Sequence, residues 1–212
     1  PPRSTLFPYT TLFRSSRMRQ AEITRRTGET NIRVALNLDG EGSAQIDTGI
    51  GFFDHMLTLL ARHAHMDLTV AAQGDLAVDD HHTAEDTGIV LGQALKNALG
   101  DKRGIRRYGQ AAIPMDEALA TAALDISGRA YLVFHAEFLS DRVGGFSTQM
   151  TEEFFRALAF NAGLTLHLAC PYGHNDHHII EALFKAFARA LADAAAIDPG
   201  NAGAVPSTKG VL

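Results

Sequence analysis

Two stretches of the chain carry the same chemical pattern, DDHHTAED at 79–86 and NDHHIIEA at 175–182. Both contain D-H-H-x-x-E, and one step of 96 residues carries His81 to His177, His82 to His178 and Glu85 to Glu181. On a helix, residues three and four apart share a face, so each glutamate can sit beside either of its histidines. Adjacent histidines point about 100° apart and are poorly placed to chelate one ion together. The pattern therefore divides each pair between two metal ions, with each ion drawing on both repeats. His55, in DHM on the preceding helix, is a further candidate ligand, and Glu153, in TEEFF, is its counterpart in the second repeat. Eight groups over two ions give about four protein ligands each. Imidazole and carboxylate without thiolate favour a harder, octahedral ion such as Mn²⁺, with positions open to water or substrate. Zn²⁺ accepts such ligands too. His63, His65, His135, His167 and His174 read as solvated or packed side chains rather than ligands.

Composition narrows the field around this motif. One cysteine, Cys170, leaves no internal disulfide or thiolate zinc site and fits a reducing, cytoplasmic compartment. Lys plus Arg number 19 against 24 for Asp plus Glu, a net charge of −5 without a basic block, so binding to nucleic acid through phosphate neutralisation is not expected. No apolar run approaches the roughly 18 residues of a membrane helix. Residues 1–17, beginning PPRSTLFPYTTLFRSS, lack any sustained period and read as a non-native or disordered arm.

The elements that must position the motif follow from hydrophobic periodicity. Ala21 to Leu38 alternates through Ile23, Ile32, Val34 and Leu36 and stops at the Asp39-Gly40-Glu41-Gly42 turn, a strand pair. Phe52, Phe53, Met56, Leu57 and Leu60 then mark an amphipathic helix, and Leu68 to Ala72 a short strand. A helix is expected from about Thr83 to Leu99, stopped by Gly100. The second half repeats this order: strands at Leu119–Leu124 and Ala130–Phe138, a helix from Thr151 to Gly163, a strand at Leu164–Leu168, and a helix from His177 to Ala196. A duplicated half-domain is the simplest reading. It gives a first repeat at 18–110, a second at 111–197, and an extended Gly/Pro/Ser-rich tail at 198–212.

The motifs GIGFFDHML, DDHHTAEDTGIVLGQAL, GIRRYG, MDEAL, DISGRAY, NDHHIIEALFKAFARAL and PSTKGVL, in order from Ala21 to Leu212, resemble the imidazoleglycerol-phosphate dehydratase family. The resemblance implies an α+β fold of tandem half-domains, each a four-stranded sheet packed on two helices. It implies a hydro-lyase of histidine biosynthesis that converts imidazole glycerol phosphate to imidazole acetol phosphate at a dinuclear Mn²⁺ site. It further implies a homo-oligomer of 24 subunits with active sites between subunits. Family metal ligands map to His55, His81, His82, Glu85, His177, His178 and Glu181; Glu153 stands where the family often has histidine. Substrate contacts map to Glu29, Arg107, Arg129, Ser207 and Lys209, which makes the tail functional. The arginines, Lys209 and Ser207 suit a phosphomonoester. The metals would act as Lewis acids on the imidazole, with Glu29 or Glu181 as base. An N-terminal phosphatase module is not expected. Two rivals keep the metals: a dinuclear phosphoester hydrolase, and a non-catalytic metal-assembled shell.

Overall fold

Side-chain alternation builds the first sheet. In β1 (Gln20–Arg26) and β2 (Thr30–Asn37) every second residue turns inward, so Ile32, Val34 and Leu36 are buried while Asn31 and Arg33 face out. The two strands pair antiparallel; β2 also pairs antiparallel with β4 (Asp67–Gly74), and the short edge strand β3 (Ala44–Asp47) runs parallel to β4. The order is β1-β2-β4-β3. Helix α1 (Gly51–Ala64) connects β3 to β4, and α2 (His81–Leu99) follows β4. This computed structural model describes residues 18–201 and 203–212, so the arm read at 1–17 lies outside the described residues.

The second half repeats the plan. Strands β5 (Tyr108–Met115), β6 (Ala118–Asp125), β7 (Tyr131–His135) and β10 (Thr165–Tyr172) form a sheet of order β5-β6-β10-β7, again with only β7 and β10 parallel. Helix α3 (Met150–Ala162) precedes β10 and α4 (Asp176–Ala195) follows it. The fold is α+β, two four-stranded sheets each carrying two helices. A small hairpin, β8 (Arg142–Val143) and β9 (Phe146–Ser147), is inserted before α3. It breaks the constant spacing: β1 and β5 begin at 20 and 108, whereas α1 and α3 end at 64 and 162.

The helices lie between the sheets and pack across the halves, α1 on α4 and α2 on α3. Gly88 and Gly92 permit the second contact, because a Cβ on either would stand 2.7 and 2.6 Å from the carbonyl oxygens of Phe154 and Leu158. Phe53, Phe154, Phe155, Phe184 and Phe187 fill the shared core. Four strands escape the sequence pattern. The edge strand β3 is short and only half-buried, β5 is rich in alanine and interrupted by Pro114, and β8–β9 are two residues each. Helix α2 starts two residues before the expected Thr83, which brings both His81 and His82 into its first turn. The tail holds one 3₁₀ turn at Pro199–Asn201 and is tied to the loop before β5, where Gly104 N donates to Ala204 O at 2.8 Å.

Candidate metal centre and substrate site

The two D-H-H-x-x-E motifs open helices α2 and α4. Their aspartates serve the scaffold. Buried Asp80 accepts the Ser147 N–H and pairs with Arg142 at 3.2 Å, and buried Asp176 accepts the Leu139 and Ser140 N–H groups at 3.0 and 2.7 Å. Both helix starts are thereby fastened to the 139–147 segment.

One cluster draws on both halves. His55 Nε2, from α1, and His177 Nε2, from α4, converge on Glu181 Oε2 at 3.4 and 3.0 Å. The Phe52 ring edges the His177 imidazole at a centroid distance of 5.1 Å. The other carboxylate oxygen of Glu181 takes the Lys185 ammonium at 2.6 Å. Burial alone would raise the Glu181 carboxyl, but the Lys185 hydrogen bond and charge, with the His177 hydrogen bond, outweigh it and hold it below the ordinary value. Glu181 is therefore ionised, with Oε2 turned toward two imidazole nitrogens. The donor atoms lie within 4.8 Å of one another.

A second group forms around His82. Asp75 holds its Nδ1 with both oxygens, at 2.9 and 3.2 Å, and Glu29, from the β1–β2 turn, stands 3.6 Å away. The Asp75 hydrogen bond raises the His82 pKa. In the second half, Glu117 holds His178 Nδ1 at 2.7 Å and Asp116 lies 3.7 Å from Nε2. The Glu117 bond raises His178, and in return His178, aided by the His174 and Asn175 N–H groups, lowers the Glu117 carboxyl to about 2.

The remaining motif residues do not close a third cluster within the chain. His81 and Glu85 pair at 3.5 Å on an exposed helix face. Glu153 occupies the place of His55 when α1 and α3 are aligned on their left-handed C-caps, His65 and Gly163, yet its carboxylate turns to Arg156 at 3.6 Å.

The phosphate candidates gather at the end of the second sheet. Arg107, in a left-handed backbone conformation, forms a two-point pair with Asp125 at 2.7 and 3.1 Å and donates to Pro206 O at 2.8 Å. Arg129 is exposed and 3.9 Å from the same Asp125. Ser207 Oγ accepts the Lys209 N–H at 3.2 Å. Lys102 is buried nearby; desolvation and the charges of Lys96 and Arg107 push its ammonium down, with Asp125 opposing. No hydrogen bond or ion pair joins this group to Glu29 among the described residues. A separate hollow of about 560 Å³, lined by Ala112, Thr121, Ala123, His135 and His167, lies on the second sheet and holds none of the predicted site residues.

The family model for imidazoleglycerol-phosphate dehydratase matches residues 48–191, which include both motifs and His55. The chain belongs to the imidazoleglycerol-phosphate dehydratase family. The family's curated member from Azorhizobium caulinodans is 63% identical over 195 residues, covering 92% of this chain and 99% of that protein. The Acetivibrio thermocellus member is 59% identical over 194 residues, with 92% and 99% covered. The crystal structure of the Staphylococcus aureus dehydratase superimposes with a TM-score of 0.77 at 45% identity, covering 84% of this chain and 99% of that one. The Pyrococcus furiosus structure gives the same TM-score at 37% identity, with 90% and 100% covered. The chain is thus an enzyme of the dehydratase family, not a hydrolase or a non-catalytic shell. No described helix is long and apolar enough to cross a membrane.

Within this dehydratase, sequence reasoning missed Asp75, Glu117, Asp125 and Lys185. Lys185 was findable, because it lies one helical turn after Glu181. The other three sit in loops or at a strand end and carry no periodic signal.

Proposed function

We propose that the chain dehydrates imidazole glycerol phosphate to imidazole acetol phosphate in histidine biosynthesis, using two Mn²⁺ ions per active site. The observation that carries the metal reading is the convergence of His55 Nε2 and His177 Nε2 on ionised Glu181 Oε2. This thiolate-free imidazole and carboxylate set fits a hard, octahedral ion. His81, Glu85 and Glu153 would supply the corresponding second set. His82 and His178 do not join the cluster of their own chain, which favours their donation to a neighbouring copy. Sites shared between subunits, in the 24-subunit homo-oligomer that the resemblance implies, follow from that reading.

When bound, Mn²⁺ would supply Lewis acidity and orient the substrate imidazole. The protein's groups do the rest. Arg107, Arg129, Ser207 and Lys209 hold the phosphate, with Asp125 keeping Arg107 in place. Glu29 accepts the carbon-bound proton: its carboxylate is 57% exposed and stands 3.6 Å from the His82 ring. Glu181 is less suited to that task, because its oxygens already face Lys185, His55 and His177. The single free cysteine fits the cytoplasm.

The test is direct. Purified protein, Mn²⁺ and imidazole glycerol phosphate should yield the ketone with no inorganic phosphate. Phosphate release without ketone, or full turnover after chelation, would contradict the proposal.

A further inference from the structure

Two motif histidines outside the His55–His177–Glu181 cluster, His82 and His178, each have Nδ1 engaged by a carboxylate from a loop. Asp75 takes Nδ1 of His82 at 2.9 and 3.2 Å, and Glu117 takes Nδ1 of His178 at 2.7 Å. Asp75 comes from the β4–α2 loop and Glu117 from the β5–β6 turn. The same ring atom is gripped from two different loops, so duplication alone does not account for the contact.

An ionised carboxylate only accepts hydrogen bonds, so the Nδ1 it holds must carry the hydrogen. A neutral imidazole then keeps its lone pair on Nε2, the atom free to ligate. For His178 that atom lies 3.7 Å from Asp116, whose own side chain is 76% exposed. We propose that Asp75 and Glu117 are positioning residues that fix His82 and His178 with hydrogen on Nδ1 and present Nε2 to metal at the subunit boundary. The inference rests on the metal reading above. Outer carboxylates of this kind orient ligand imidazoles and raise their basicity.

The two clamps differ in a way that makes the inference testable. Glu117 has a second duty, since its Oε1 accepts the His174 and Asn175 N–H groups at 3.1 and 2.8 Å while Oε2 serves His178. A glutamine there owns one carbonyl oxygen. With that oxygen held by the two backbone donors, its amide NH₂ meets Nδ1, donates to it and drives the ring hydrogen to Nε2. The side chain of Asp75 makes its hydrogen bonds among the described residues to His82 alone. An asparagine at 75 can turn its carbonyl to the same Nδ1–H.

The experiment titrates Mn²⁺ into the intact oligomer and reads the free aquo ion by electron paramagnetic resonance. It uses wild type, Glu117→Gln, Glu117→Ala, Asp75→Asn and Asp75→Ala, with circular dichroism to establish folding. Glu117→Gln and both alanine variants should weaken the affected site about 10- to 100-fold, while Asp75→Asn stays near wild type. Wild-type affinity in Glu117→Gln, or Asp75→Asn as weak as Asp75→Ala, overturns the assignment. The two amide variants preserve volume, so they decide the matter even if an alanine variant misfolds. A wild-type enzyme that binds no Mn²⁺ defeats the metal reading itself, a result distinct from any of these.

Discussion

The openings of helices α2 and α4 solve one problem with different parts. In the second half the carboxylate of the hairpin turn, Glu117, is consumed: one oxygen serves His178 and the other two backbone N–H groups. In the first half Asp75 does the clamping from another loop, and the hairpin-turn carboxylate Glu29 stands 3.6 Å from His82 and mostly exposed. A duplicated framework thus keeps one turn carboxylate locked and leaves the other mostly exposed, the one proposed above as base. The glutamates of the two motifs differ as well. Glu181 is buried among Lys185, His177 and His55, whereas Glu85 is 41% exposed with His81 beside it.

The largest effect should come from removing the clamped histidines. His82→Ala or His178→Ala should abolish both bound Mn²⁺ and turnover, checked by metal analysis and a product assay; full activity with undiminished metal in either would break the ligand assignment. Next in size, Glu181→Ala in chelator-treated protein should cost about 3 kcal/mol, the low end for stranding a buried partner, since Lys185 keeps some access to water. Glu85→Ala should cost less than about 1 kcal/mol, as exposed pairs do. Denaturant unfolding of both variants measures the contrast, and equal losses would erase it.

Arg107→Ala removes a charged group that pairs at two points with Asp125 at the entry to the second sheet, as Arg19 pairs with Asp39 at the entry to the first. It should raise KM about 10- to 100-fold, the equivalent of about 1.5–3 kcal/mol, with metal content intact. A fall in metal content instead would make its role structural.

The smallest effect is a pH profile. A carboxyl lowered from 4.5 to about 2 contributes stability that is complete above 4.5 and lost as pH falls toward 2. An imidazole raised above 6.5 contributes stability that is complete below 6.5 and lost as pH rises through its folded value. In metal-free protein the melting advantage of wild type over Glu117→Gln should therefore be widest between about pH 4.5 and 6.5. A flat difference from pH 2 to 9 would show that Glu117 and His178 do not titrate as a pair.

Much of this is legible in the sequence. Helical spacing placed His177 beside Glu181, and apolar periodicity located all four helices, because buried faces impose a period of 3.6. What stayed hidden depends on loops. Nothing local in GD or MDEAL says that Asp75 and Glu117 will meet imidazoles 7 and 61 residues away. Nor does the sequence foretell that Asp125 holds Arg107, since a strand end and a left-handed residue must first be brought together. Strand β5 was lost because alanines and Pro114 blur the alternation that made β2 plain.

Crystals of the Mn²⁺-loaded enzyme, measured at the manganese absorption edge, test the central claim most directly. An anomalous peak is expected bonded to Nε2 of His55 and His177 and to Oε2 of Glu181, with Glu117 still on Nδ1 of His178. Fully loaded crystals with no peak at that cluster, or with manganese bonded through Nδ1 of His178, would contradict it.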